Sequence, residues 1–168
     1  SDYFRHYMGL LNSERLNQIL EKYDLEVNFY LHAKFQEYAD TFKSISKRIH
    51  LISFGEVAVN EMLMRCRMLI TDYSSVCWDI LYQDKPSLFY QFDIEKYNEA
   101  HGSYIDMETE LFGDRAATQE QLLDYLEETV QNDFRLKPEY EKMRGEYLQF
   151  KDHEHSRHIC EEIKKRFH

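Results

Sequence analysis

Two adjacent serines, Ser74 and Ser75, lie where a short apolar run (residues 68–71) passes into a helical apolar pattern that begins at Val76. If that run is a buried parallel strand, the junction lies at the carboxyl edge of the sheet, where ligands collect. The start of the helix would add unpaired N–H groups and the positive end of its dipole to the two hydroxyl groups. The junction is therefore a candidate site for a phosphate or a diphosphate. The alternative is that a serine caps the helix and Asp72 simply ends the strand, because serine caps are common.

The same pattern places two histidines at this edge. His32 follows the β-rich run at residues 27–31, and His101 precedes Gly102 in a polar loop after a later strand-like run and a short helix. A histidine in such a position can carry a proton or, as a cation, face a leaving phosphate. The alternatives are an ordinary surface histidine for His32, which is one of eight in the chain, and a turn residue beside glycine for His101.

Three histidines near the end of the chain resemble a metal cluster, because His153, His155 and His158 lie beside Glu154. A solvated entry to a helix is the favoured interpretation, since no second carboxylate motif accompanies them. The sequence also contains no Gly-x-Gly-x-x-Gly motif, no Walker loop and no Gly-x-Ser-x-Gly motif. We therefore expect no metal and no cofactor.

The candidate residues need a scaffold that brings strand ends together, and the apolar pattern predicts one. Strand-like runs occupy residues 27–31, 49–52, 68–71 and 87–90. Helical stripes occupy residues 16–23, 34–43, 59–66 and 76–81, of which the second is the weakest. This alternation predicts an α/β domain with a mainly parallel sheet.

After about residue 115 the pattern indicates helices only. Residues 118–121 have the spacing of a capping box, Pro138 suits a first helical turn, and a final apolar stripe spans residues 159–167. No internal repeat, linker or low-complexity segment interrupts the chain. Residues 1–168 are therefore expected to form a single domain.

The composition excludes several classes of protein. A chain of 168 residues with 43% hydrophobic residues can bury a core, which excludes a wholly disordered or collagen-like chain. The net charge of −10 disfavours binding of nucleic acid or of an anionic membrane by this chain alone. No apolar run approaches the roughly 20 residues of a membrane span, and the start does not resemble a signal peptide. Three cysteines, an odd number, favour a reducing cytosolic setting over a disulfide framework.

A longer stretch around the serines carries a family resemblance. Residues 69–76 read Leu-Ile-Thr-Asp-Tyr-Ser-Ser-Val, and together with residues 78–79 and 85–93 they resemble the CDP-glycerol glycerophosphotransferase family. This family comprises the teichoic-acid glycerol- and ribitol-phosphate transferases and polymerases and related capsule polymerases. The likeness extends more weakly upstream to residue 2 and downstream to the terminal helices, so that it covers essentially the whole chain.

The resemblance implies a GT-B architecture, of which this chain would be the C-terminal, donor-binding half. That half has a Rossmann-like parallel sheet with helices on both faces and a helical C-terminal tail. The implied reaction transfers polyol phosphate from a CDP-polyol donor to a teichoic-acid or capsule-type acceptor and releases CMP. A missing N-terminal half would carry a second essential histidine, so the isolated chain is expected to be inactive. The whole enzyme is expected to be cytoplasmic and peripheral on the inner face of the bacterial plasma membrane.

The resemblance also implies which residues form the site. His32 matches one of two histidines on which the activity of the family depends. The donor diphosphate is assigned to Thr71, Asp72, Ser74 and Ser75. Contacts with the donor or its polyol are assigned to Asp79, His101, Gly102 and Gly113.

The sequence departs from the family in ways that bear on the structure. Leu31 and Ala33 flank His32 where the family has prolines, and the strand that the family has before Asp2 is absent. Because that strand would be central, its absence is expected to leave the sheet strained, rearranged or filled by a partner.

Two other functions remain open from the residues alone. One is the donor half of a GT-B enzyme that uses a nucleotide sugar, which binding of UDP- or GDP-sugars would reveal. The other is a non-catalytic α/β module that binds a partner. A receiver-like module is disfavoured because Asp72 alone does not make the acidic cluster that holds Mg²⁺ in such domains.

Overall fold

A computed structural model describes residues 2–31, 41–44, 46–100, 102, 105–150 and 152–167. The helices in these ranges are α1 (Asp2–Leu11), α2 (Glu14–Lys22), α3 (Val59–Arg65), α4 (Val76–Tyr82), α5 (Ile94–Ala100), α6 (Gln119–Gln131), α7 (Pro138–Tyr147) and α8 (His155–Phe167). The strands are β1 (Val27–Tyr30), β2 (Ile49–Ile52), β3 (Leu69–Thr71), β4 (Ser87–Tyr90) and β5 (Asp114–Ala116).

All pairs of described strands run parallel, which confirms the predicted α/β class. Strand β1 pairs with β2, with Val27 opposite Ile49. Strands β3, β4 and β5 form a second sheet in that order, with Leu69 opposite Ser87 and Leu88 opposite Asp114. The described strands therefore form two sheets rather than one, and β1 and β3 are not paired with each other.

Strand β4 lies at the centre of the core and is buried along its whole length. Its side chains alternate between two apolar clusters, as the period of a strand requires. Leu88 and Tyr90 pack in the cluster that includes buried residues of α1, α2 and α6. Phe89 packs in the other cluster, with Leu81 of α4 and Phe112. Helices thus cover both faces of this strand, which is the usual arrangement for a parallel sheet.

Helix α1 joins the two sheets. The ring of Tyr7 lies 5.7 Å from the ring of Phe29 in β1 and 5.8 Å from that of Tyr90 in β4, between ring centroids. The neighbouring His6 stacks on Phe92 at 4.0 Å and lies 3.2 Å from the hydroxyl of Tyr90 through Nδ1. Because one helix contacts both sheets, the apolar core is continuous across the break in hydrogen bonding.

The helix starts follow the local signals in the sequence. The Ser13 hydroxyl accepts a hydrogen bond from Leu16 N at 3.3 Å and caps α2. Thr118 and Gln121 form the predicted capping box of α6, and Pro138 occupies the first turn of α7. Such caps satisfy N–H groups that have no partner within their own helix.

Two elements differ from the sequence-based expectation. Helix α1 was not predicted, and β5 lies at residues 114–116, beside the point from which only helices were expected. A strand of three residues that contains Asp114 and Arg115 is too short and too polar to show a strand period. The weak helix predicted at residues 34–43 falls mainly outside the described residues.

None of the described helices combines the length and the apolar character needed to cross a membrane. Cys66, Cys77 and Cys160 are free thiols, of which Cys77 is buried.

Gly113 permits the pairing of β4 with β5, and this role can be tested. A Cβ atom at this position would lie 2.1 Å from the carbonyl oxygen of Ser87 and 2.9 Å from Cε2 of Phe89. Gly113→Ala must push the two strands apart, so we expect it to lower the free energy of unfolding by about 2–4 kcal/mol in urea denaturation.

Gly145 in α7 provides the matched control, because no atom lies within 4 Å of a Cβ built there. Gly145→Ala is expected to be neutral or to stabilise the chain by up to about 1 kcal/mol, since alanine is the better helix former. Equal stability of Gly113→Ala and the unmodified chain would contradict the packing role.

Candidate functional site

The candidate site is the loop of residues 72–75, which leaves the carboxyl end of β3 and enters α4. Thr71, the last residue of β3, is buried and opposite Phe89 of β4. The side chain of Asp72 folds back onto the backbone of the loop, because its Oδ1 accepts a hydrogen bond from Tyr73 N at 2.6 Å. This hydrogen bond holds the Asp72 carboxylate against the backbone at the start of the loop.

Tyr73 fastens the loop to the segment that follows β4. Its hydroxyl donates to Asp93 Oδ1 at 2.8 Å, and its ring stacks on Tyr97 of α5 at 3.6 Å with an angle of 5° between the planes. Burial and the negative charge of Asp93 raise the pKa of Tyr73, so the phenol stays protonated and remains the donor.

The hydroxyl groups of Ser74 and Ser75 have no hydrogen-bond partner in the part of the chain that the structure describes. Ser75 occupies the N-cap position of α4 with φ −64° and ψ −12°, yet its side chain makes no capping hydrogen bond. The carbonyl groups of the two serines accept hydrogen bonds from Cys77 N and Trp78 N, respectively. Ser74 is half-buried and Ser75 is exposed. The capping alternative is therefore not realised at Ser75.

The other predicted site residues lie outside the loop of residues 72–75. Asp79 is exposed on α4, one helical turn after Ser75 and hence on the same side of the helix. Gly102 is exposed with φ +68°, a left-handed conformation that favours glycine. His32 and His101 lie outside the described residues.

Gly113 lies at the opposite edge of the sheet from the serines. It precedes β5 and faces the Ser87 carbonyl at the amino end of β4, whereas the loop of residues 72–75 follows the carboxyl end of β3. The structure therefore does not place Gly113 beside the serine loop, and the donor contact assigned to Gly113 stays a prediction. The close approach of Gly113 to the backbone of β4 is a structural reason for a glycine at this position.

Sequence reasoning missed the residues that support the loop. Gln91 and Asp93 follow the buried strand β4 just as Asp72 and Ser74 follow β3. The rule that polar residues after a buried strand share one edge would have found them. The ring of Tyr3 in α1 lies 6.3 Å from that of Phe92, which follows β4, and burial and the charge of Asp72 raise the pKa of Tyr3.

The fold and the loop define a parallel α/β domain with a polar carboxyl edge. Over residues 2–165 the chain matches the family model described as CDP-Glycerol:Poly(glycerophosphate) glycerophosphotransferase. The chain belongs to this family, which confirms the resemblance inferred from its sequence.

The chain is also similar to proteins that are described as teichoic acid biosynthesis proteins or transferases. The chain is 27% identical over 154 residues to the minor teichoic acid biosynthesis protein GgaB of Bacillus subtilis (strain 168), a match that covers 90% of the chain and 16% of that protein. It is 27% identical over 146 residues to the teichoic acid glycerol-phosphate transferase of Staphylococcus aureus (strain NCTC 8325 / PS 47), with 84% of the chain and 34% of that protein covered. The chain thus spans only a minor part of these relatives.

A solved structure shares the fold. The wall teichoic acid polymerase TagF matches 90% of the chain and 47% of its own chain, with a TM-score of 0.57 and 21% sequence identity. This likeness supports the parallel α/β architecture described above.

Proposed function

We propose that this chain is the donor-binding part of a glycerophosphotransferase that takes polyol phosphate from a CDP-polyol and transfers it to a teichoic-acid or capsule-type acceptor. The observation that carries the proposal is the pair of hydroxyls of Ser74 and Ser75, which lie in the loop between parallel strand β3 and helix α4 and have no hydrogen-bond partner among the described residues. Membership of a family whose description names CDP-glycerol indicates the donor class.

In this proposal the acceptor hydroxyl attacks the donor phosphorus next to the polyol. A new P–O bond forms to the acceptor, the P–O bond to the CMP oxygen breaks, and the acceptor hydroxyl loses its proton. The Ser74 and Ser75 hydroxyls donate to the diphosphate oxygens, where charge-assisted hydrogen bonds are strong. His32, as a cation, offsets the charge on the leaving CMP. Because the serine hydroxyls orient the diphosphate and His32 supplies positive charge, the proposal includes no metal and no cofactor.

The proposal assigns the whole chain, residues 1–168, to one donor-binding domain. It requires a second, N-terminal half of a GT-B enzyme as partner, since the acceptor must reach the donor in a cleft. The complete enzyme would act at the inner face of the bacterial plasma membrane, where a polyol-phosphate or glycan acceptor is held.

The first test of this function replaces both serines. Ser74→Ala with Ser75→Ala should weaken CDP-glycerol binding in calorimetry by about 1–3 kcal/mol for each charged hydrogen bond lost. The free energy of unfolding should change little, because neither hydroxyl has a partner among the described residues. Ser156→Ala, on the exposed face of α8, is the control and should leave affinity unchanged.

A donor panel belongs to the same calorimetry experiment. CDP-glycerol and CDP-ribitol should bind more tightly than UDP-glucose. Unchanged affinity in the double variant would contradict the role of the serines, and preferential binding of UDP-glucose would favour a nucleotide-sugar enzyme.

The second test concerns His32 in the complete enzyme. His32→Ala should lower kcat by roughly 10²-fold or more while the melting temperature stays close to that of the unmodified enzyme. His50→Ala is the matched control, since His50 lies on β2 and its Nε2 is 3.4 Å from exposed Glu26. If kcat survives in His32→Ala, the histidine is not catalytic, and if the melting temperature falls together with kcat, its role is structural.

The third test asks what the chain does alone. Incubated with CDP-glycerol and acceptor, it should release no CMP above the background rate, because the reaction requires residues from the other half of the cleft. Sustained release of CMP that depends on acceptor would show that the site is complete within this chain.

A further inference from the structure

A buried carboxamide lies directly behind the loop of the two serines. Gln91 follows β4, and only 1% of its surface is exposed. Its backbone N–H donates to Ala116 O at 2.9 Å, so β4 and β5 both fix its position. Side chains alternate along a strand, so Gln91 points to the same side of the sheet as Phe89, which is the side that α4 covers.

The hydrogen bonds of Gln91 define how its carboxamide is oriented. Nε2 donates to the carbonyl oxygen of Asp72 at 3.1 Å and contacts the sulfur of Met107 at 3.7 Å. A carbonyl oxygen can only accept, so the amino group of Gln91 must face Asp72. Oε1 is then left buried, and it has no hydrogen-bond partner among the described residues.

These contacts join the serine loop to a second segment. Ile105 and Met107 pack against the apolar cluster that contains Phe89 and Phe112, and they follow directly after the Gly102 loop. The side chain of Gln91 thus holds both the start of the serine loop and the segment at Met107 to the end of β4. Gln91 therefore contacts both the loop of the two serines and the segment at Met107, which follows the predicted site residue Gly102 in the sequence.

Stability alone does not account for a glutamine at this position. Methionine has nearly the same length and volume and would fill the same space without leaving a buried acceptor unpaired. An unpaired buried polar atom costs free energy, and native proteins retain such atoms mainly where another role requires them. The one contact that methionine could not replace is the hydrogen bond to the Asp72 carbonyl.

We propose that Gln91 is a positioning residue that fixes the loop of residues 72–75 against the segment at Met107 and so holds the Ser74 and Ser75 hydroxyls where a donor diphosphate binds. The ligand in this statement rests on the proposed function. The positioning of the loop does not, and it can be measured without any ligand.

The test compares Gln91→Met with the unmodified full chain by amide hydrogen exchange in the absence of ligand. Exchange in residues 72–76 and 105–108 should become faster by about tenfold, while the core of β4 and α6 keeps its protection. Gln83→Met is the matched control, because Gln83 also donates from Nε2 to a backbone carbonyl, that of Asp79, at 3.2 Å, but is not buried. It should leave the exchange of both segments unchanged.

Binding supplies the second measurement. CDP-glycerol should bind Gln91→Met at least about tenfold more weakly than the unmodified chain, with the melting temperature within about 2 °C. Gln91→Leu has no donor for Asp72 O and introduces no buried charge. It should reproduce the faster loop exchange, and it serves as the test variant if Gln91→Met does not fold.

The outcomes separate the two proposals. Unchanged exchange in residues 72–76, or a uniform increase throughout the chain, overturns the positioning role whatever the binding result. Faster exchange confined to the two segments, with no binding of CDP-glycerol to the unmodified chain, supports the positioning role and counts against the proposed function. Faster local exchange with unchanged donor affinity overturns the statement that the loop must be held in place for the diphosphate.

Discussion

The burial of β4 on both faces is the constraint on which the rest of the structure depends. A strand covered by helices on both sides must be apolar along its length, and Leu88, Phe89 and Tyr90 meet that condition. Its neighbour β5 can approach closely only because Gly113 has no side chain. Once β4 is fixed, its parallel partners β3 and β5 end at the same edge, and the polar residues that follow them meet there.

The loop after β3 is held by side chains of other segments rather than by its own serines. Tyr73 bonds to Asp93 and stacks on Tyr97, while Gln91 bonds to the Asp72 carbonyl. In many strand-to-helix junctions a serine hydroxyl caps the helix and is therefore already hydrogen-bonded to the backbone. Here the other contacts hold the loop, and among the described residues the hydroxyls of Ser74 and Ser75 have no hydrogen-bond partner.

Local signals predicted most elements, whereas contacts between distant residues could not be read from the sequence. Strands β2, β3 and β4, the cap of α2 and the capping box of α6 each depend on a few neighbouring residues. The division into two sheets depends on which strands pair, and β5 becomes a strand only because β4 lies beside it. The serines were found because polar residues follow an apolar run. The bond between Tyr73 and Asp93 depends on the register of β3 and β4, which no local pattern encodes.

The charges at this edge bear on the proposed function, because a diphosphate bound there would need positive charge from outside the serine loop. Residues 71–79 and 91–95 contain no lysine, arginine or histidine, but they contain Asp72, Asp79, Asp93 and Glu95. The next cation along the chain, Lys96, is already 3.2 Å from Asp2 Oδ2. Hydroxyl groups can orient a diphosphate, but they cannot neutralise it beside several carboxylates. In the proposed function the positive charge must therefore come from outside these two segments: from a histidine of this chain, such as His32 or the His6 ring that stacks on Phe92, or from another part of the complete enzyme.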